Sequence, residues 1–185
     1  MEKSTDSSGN PMMRVAITGP ECTGKSTLSV QLARHYNTVF VPEFAREYVS
    51  SLNRPYHYQD LVHIAETQIR QAIDYSPSAN KLLFLDTWLI ITKVWFDVVF
   101  GRHPQWIDEE LNRKTIDLFL LCSTDIPWVA DPVRENGGAM RERLYLLYKK
   151  ELDILGTNYR IITGTGNERF QEALRAIEDM VPWKS

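Results

Sequence analysis

Four residues separate Gly19 from Gly24, and Lys25 and Ser26 follow at once in the stretch ITGPECTGKSTL (17–28). Glycines at that spacing let the backbone turn its N–H groups inward around phosphate oxygens, and a helix starting behind them adds a favourable dipole. A lysine placed like Lys25 reaches the β- and γ-phosphates, and a hydroxyl placed like Ser26 becomes a magnesium ligand. Gly19, Pro20, Glu21, Cys22, Thr23, Gly24, Lys25, Ser26 and Thr27 are therefore the candidate nucleotide-binding residues. The alternative is an ordinary glycine-rich turn. Context favours the phosphate loop, because apolar RVAIT (14–18) precedes it and KSTLSVQLARHY (25–36) continues with helical period. A side chain at Gly24 would obstruct close approach of the backbone, and Cys22 is either a small filler or a reactive thiol.

A bound nucleoside triphosphate needs an acceptor for its terminal phosphoryl group, and the acceptor pocket of such folds lies above the carboxyl ends of the strands. The residues just past each strand are the ones to inspect. Glu43, in VPEFAREY (41–48), stands where a carboxylate can take a proton from an acceptor hydroxyl; the plainer reading is an acid favoured at a helix start. Arg46 and Glu47 on the following helix can orient an acceptor or form a solvated pair. Asp86 closes the apolar run KLLFLDT (81–87), the expected place for an acid that holds magnesium directly or through water. Which of Glu43 and Asp86 touches the metal stays open; Ser26 and Asp86 are the candidate magnesium ligands. Thr87 either caps the next helix or assists at the site.

Past the fourth strand, DPVRENGGAMRER (131–143) combines a proline, two glycines and three arginines. That composition suits a lid, at about 130–142, whose Arg134 and Arg141 stabilise charge as the phosphoryl group moves. TGTGNE (163–168) has small residues suited to a loop lying against adenine. Among the aromatics near these loops, Tyr56 and Trp88 are candidates to face the acceptor, whereas Trp95 reads as core. His35, His57, His63 and His103 have no ligand spacing, so no metal is assigned to them.

These groups need a scaffold. Strands are expected at 14–18, 38–43, 81–87, 116–122 and 160–163, with helices at 25–36, 60–73, 88–100, 140–155 and 167–181. The helix 88–100 is apolar almost all round and reads as buried, with Lys93 and Asp97 spaced to pair. Alternation of this kind argues an α/β P-loop NTPase fold: a five-stranded parallel sheet with helices on both faces and a lid. Residues 1–12 read as a flexible tail and 13–185 as one kinase domain.

Composition agrees with a compact enzyme. The 185 residues carry net charge −3, with 43% hydrophobic and 24% charged residues, so nothing global points to nucleic acid or an anionic membrane. Two cysteines suit a reducing cytoplasm, and no apolar run approaches the length of a membrane span. An oligomer is compatible with the sequence but not legible in it. A GTPase would need an Asn-Lys-x-Asp segment, which is absent. A small kinase that uses ATP and Mg²⁺ on a nucleoside fits best; a kinase for another small acceptor and a regulatory ATPase are the rivals.

GPECTGKSTL, VPEFAREYV, DLVHIAETQ, LFLDTWLIITKVW, DLFLLCSTDIPWVADPVRENG and RERLYLLYKKEL together resemble the ribosylnicotinamide kinase domain of bacterial NadR proteins and its AAA-like ATPase relatives. The resemblance runs from about Arg14 to the final helix. It implies phosphorylation of the 5′-hydroxyl of nicotinamide riboside, giving nicotinamide mononucleotide for NAD salvage. On that resemblance Gly19 to Thr27 bind ATP, Asp86 is the acid after the third strand, Arg134 belongs to the lid and Glu43 to the second-strand motif. The family often carries an acid two residues beyond Asp86, where this chain has Trp88. NadR proteins often place a DNA-binding helix-turn-helix and an adenylyltransferase domain ahead of the kinase. With the first strand beginning at residue 14, neither of those activities is expected.

Overall fold

The centre of the sheet is built from runs too apolar to face water on either side. The computed structural model describes residues 12–129 and 137–181. Five strands, β1 (Met13–Thr18), β2 (Phe40–Val41), β3 (Leu82–Asp86), β4 (Leu118–Cys122) and β5 (Tyr159–Ile162), pair in parallel in the order β2-β3-β1-β4-β5. Seven α-helices are described: α1 (Lys25–His35), α2 (Phe44–Ser51), α3 (Tyr58–Tyr75), α4 (Leu89–Phe100), α5 (Gln105–Asn112), α6 (Gly138–Leu155) and α7 (Asn167–Glu178). The expected α/β sheet and its helical cover are therefore present.

Alternation along the strands divides the core in two. Leu83 and Leu85 of β3, with Ala16, Phe119 and Leu121, pack under α3, α4 and α6. Leu82 and Phe84, with Val15, Ile17, Leu118 and Leu120, pack under α1 and α7. Both faces are buried, which is why these strands read as continuous apolar runs. Met12, read as the last residue of a tail, is only 5% exposed and joins the first cluster.

Several boundaries move for physical reasons. The second strand shrinks from 38–43 to Phe40–Val41: Pro42 brings no N–H to the ladder, and the Thr38 hydroxyl instead donates to the Leu82 carbonyl at 2.6 Å. Helix α5 has no counterpart among the sequence expectations. The expected Lys93–Asp97 pair does not form. Lys93 reaches instead to Asp108 on α5 (2.9 Å) and Glu151 on α6 (2.7 Å), while Asp97 accepts from His103 at 2.6 Å. Spacing along one helix permitted the pair, but packing against neighbouring helices gave Lys93 better partners. Among the described residues no helix is long and apolar enough to cross a membrane.

Candidate functional site

The central strand β1 ends against the glycine loop, and β3, paired with it residue for residue, brings Asp86 level with Ile17. That register sets an acid beside the phosphate loop. Gly19 (φ 139°) takes a conformation open to glycine, and a Cβ there would lie 2.7 Å from the Cys122 carbonyl oxygen. Gly24 (φ 76°) is the left-handed residue from which α1 starts. Backbone geometry thus requires glycine at Gly19 and favours it at Gly24. Cys22 also lies in the left-handed region, at φ 57°, and its Sγ lies 3.4 Å from the Val129 carbonyl oxygen.

The carbonyls of the loop are held one after another. Thr23 Oγ1 and Lys25 Nζ each donate to the Pro20 carbonyl at 2.8 Å. Arg141 donates from Nε to Glu21 O (2.9 Å) and from Nη2 to Cys22 O (3.0 Å). Arg169, which sequence reasoning overlooked, donates from Nη1 to Thr23 O (2.9 Å). It also bonds Gly164 O through Nε at 2.9 Å and pairs with Asp125.

A cavity of about 660 Å³ opens from the loop. Its polar lining is formed by Gly19, Glu21 to Thr27, Glu43 and Arg46, so Glu43 and Arg46 share the cavity with the loop. Its far end is apolar, formed by Val49 and Tyr56 on one side and Ile91, Trp95, Val98 and Val99 of α4 on the other. Met140, Leu144 and Tyr148 of α6 complete the wall. Tyr56 and Trp95 meet edge to face, with ring centroids 5.0 Å apart, and the indole N–H donates to the tyrosine hydroxyl at 3.2 Å.

Three aromatic and arginine expectations need correction. Trp88 does not face the cavity: it is 3% exposed and packs in the core beneath α4. Trp95, read as core, lines the cavity instead. Helix α4 is apolar all round because one side (Leu89, Ile90, Val94, Phe96) is buried in the core while Ile91, Trp95, Val98 and Val99 face the cavity. The 91/95/98/99 spacing is the sequence signal that could have revealed this second face. Arg141 is not poised over the phosphates but sits 5% exposed behind the loop, bonded to its backbone. Arg134 lies outside the described residues, as does most of the 130–142 lid. Pro20 contributes its carbonyl to the loop's internal bonding and does not line the cavity.

Asp86 is 4% exposed, and its Oδ1 has no hydrogen-bond partner. Burial raises its pKa; the Ser26 hydroxyl and the Lys25 ammonium pull the other way. Burial likewise raises Glu43, with Lys25 opposing and the Asp86 charge reinforcing. Two acids thus flank one lysine at the mouth of the loop. A buried carboxylate oxygen left unpartnered beside a serine hydroxyl is a fitting hard-oxygen donor set for Mg²⁺, which takes few protein ligands and keeps waters and phosphates around it.

The turn after Asp86 is fixed by a buried network. Thr87 holds φ 80°, an uncommon conformation for a β-branched residue. Its hydroxyl accepts from Gln68 Nε2 at 3.2 Å, and Gln68 Oε1 accepts from Thr92 at 2.9 Å. Thr87 therefore braces the turn through α3 and does not cap α4, whose N-cap residue is Trp88. The 163–168 loop does not line the cavity. It is tied to the segment after β4 through Gly164 N–H and Asp125 at 2.6 Å.

Comparison with known proteins agrees with this geometry. A family model described as an AAA domain matches residues 14–169. The trifunctional NAD biosynthesis/regulator protein NadR of Salmonella typhimurium is 32% identical over 138 residues, covering 71% of this chain and 33% of that protein. Its Escherichia coli counterpart is 34% identical over 131 residues, 68% of this chain and 32% of that protein. The chain thus spans about a third of the length of these relatives. A crystal structure of NadR in complex with NR superposes with TM-score 0.75 at 26% identity, over 94% of this chain and 52% of that one. A NadR complex with NAD and AMP-PNP gives 0.71 at 25% identity, over 94% and 51%. A deoxyadenosine kinase from M. mycoides, 11% identical with TM-score 0.62 over 90% of this chain and all of that one, shares the fold.

Proposed function

Because the chain belongs to the AAA domain family, and its relatives include NadR proteins, we propose that it is an ATP- and Mg²⁺-dependent kinase. Its acceptor would be the 5′-hydroxyl of a small nucleoside, nicotinamide riboside being the best fit. One observation carries the reading: one cavity is lined both by a complete phosphate loop and by aromatic and apolar side chains, with Glu43 in the same lining and near enough to feel the Lys25 charge. A triphosphate at one end and a nucleoside base at the other would bring the acceptor hydroxyl to the carboxylate. The NadR complexes with NR and with AMP-PNP are consistent with the same two ligands.

In this reading the backbone N–H groups from Glu21 to Ser26, with Lys25, hold the phosphates. Glu43, its pKa raised by burial, takes the proton of the acceptor hydroxyl as that oxygen attacks the terminal phosphorus, whose bond to the bridging oxygen breaks and releases ADP. Arg46 orients the acceptor near Glu43. Ser26 and Asp86 would hold Mg²⁺, which neutralises charge on the phosphates when bound. Tyr56 and Trp95 offer faces and edges to a flat ring, and a cationic pyridinium gains about 0.5–2 kcal/mol beside such a face. The chain would act in the cytoplasm.

A nucleoside panel tests the acceptor. With Mg·ATP, phosphoryl transfer should be fastest to nicotinamide riboside, and Trp95→Ala should raise its KM about 5- to 30-fold while leaving the KM for ATP within twofold. Transfer to a deoxynucleoside but not to nicotinamide riboside would overturn the acceptor assignment.

A further inference from the structure

Arg141 is a cation in the wrong place for an ordinary surface arginine. It sits in the first turn of α6, 5% exposed, and all four of its described hydrogen bonds go to neutral backbone carbonyls. Two of these, Glu21 O and Cys22 O, belong to the phosphate loop. The others, Thr124 O at 3.1 Å and Ile126 O at 2.8 Å, belong to the segment after β4. Among the described residues Arg141 forms no ion pair, whereas Arg169, on the other side of the same loop, is paired with Asp125. A buried charge is ordinarily matched by an opposite one.

Two consequences follow from the bonding. A trans peptide is planar, with its C=O and N–H pointing to opposite sides. Fixing the carbonyls of Glu21, Cys22 and Thr23 against Arg141 and Arg169 therefore turns the N–H groups of Cys22, Thr23 and Gly24 the other way, into the cavity. Further, a guanidinium bonded only to neutral oxygens keeps its full charge close to those amides. From this we infer that Arg141 is a positioning residue for the triphosphate: it presets the loop amides and adds, from behind the loop, the positive charge of a guanidinium that forms no ion pair among the described residues. The inference rests on reading the loop as a triphosphate site and needs no particular acceptor.

The test is calorimetric titration of Mg·AMP-PNP into wild type, Arg141→Gln and Arg141→Lys at several salt concentrations. It uses no acceptor, so a failure to phosphorylate nicotinamide riboside leaves it intact. Arg141→Gln should weaken binding at least tenfold, and because a buried charge is screened little by salt the loss should persist at every salt concentration. Arg141→Lys should fall between, with the wild-type salt dependence but weaker binding, since an ammonium cannot reproduce the guanidinium fork. In turnover the loss should appear in the KM for ATP, with the KM for nicotinamide riboside within twofold. Affinity within twofold of wild type in both variants, or equal loss for both substrates, overturns the inference. Should Arg141→Gln fail to fold, Arg141→Lys decides alone: unaltered affinity for Mg·AMP-PNP overturns it, and at least threefold weaker binding supports it.

Discussion

Glu43 and Asp86 share the neighbourhood of Lys25, and burial lifts both above the usual carboxylate range. A general base works only when deprotonated. Activity should therefore rise with pH through the raised value and be lost as pH falls through it, above the pH near 4 where an exposed glutamate would titrate. Because the two acids interact, the limb belongs to the pair. Glu43→Gln should lower kcat by about 10²–10⁴-fold and abolish or displace that limb, read from kcat against pH. A Glu43→Gln variant with the wild-type profile and rate would remove Glu43 from the chemistry. At this scale the sequence was legible wherever backbone geometry demands or favours a residue type, as at Gly19 and Gly24. It misplaced Arg141 over the phosphates and passed over Arg169, because an arginine's role depends on which carbonyls the fold brings within reach.

Elements were read well in type and less well in extent. The apolar runs of β1, β3 and β4 announced themselves because both faces of the sheet are covered. The second strand was overdrawn, and α5 was missed because an eight-residue helix carries little periodicity. The double-sided character of α4 hid Trp95, since an apolar stripe facing a cavity looks the same as one facing the core. Helices α4, α5 and α6 are joined by Lys93 with Asp108 and Glu151, and by His103 with Asp97 and Asp108. Burial lowers the His103 pKa, but the two carboxylates outweigh it and the net shift is upward. A histidine raised above its unfolded value, near 6.5, contributes stability that is full below that value and lost as pH rises through the folded one. His103→Asn should remove about 0.5–1 kcal/mol at pH 6 and nothing at pH 9, measured by urea unfolding. An equal effect at both pH values would show that the network is not electrostatic.

Taken whole, the molecule sets a phosphate loop and an aromatic slot on one rim of one sheet, with α6 forming the far wall of the cavity and carrying Arg141 into the loop. The sheet order puts β1 and β3 side by side, so the loop and Asp86 emerge together. A fold of this kind is legible from alternating strands and helices plus one motif. What the sequence withheld is three-dimensional: which faces of α4 and α6 look inward, and which buried arginines brace the loop.

The central claim is that one chain moves a phosphoryl group from ATP to a nucleoside hydroxyl. Phosphorus NMR of purified protein with Mg·ATP and nicotinamide riboside tests it most directly, with Lys25→Ala as the control. The account predicts ADP and nicotinamide mononucleotide appearing in equal amounts with wild type, and neither in the folded Lys25→Ala variant. ADP released with no phosphorylated nucleoside, or undiminished transfer by Lys25→Ala, would contradict it.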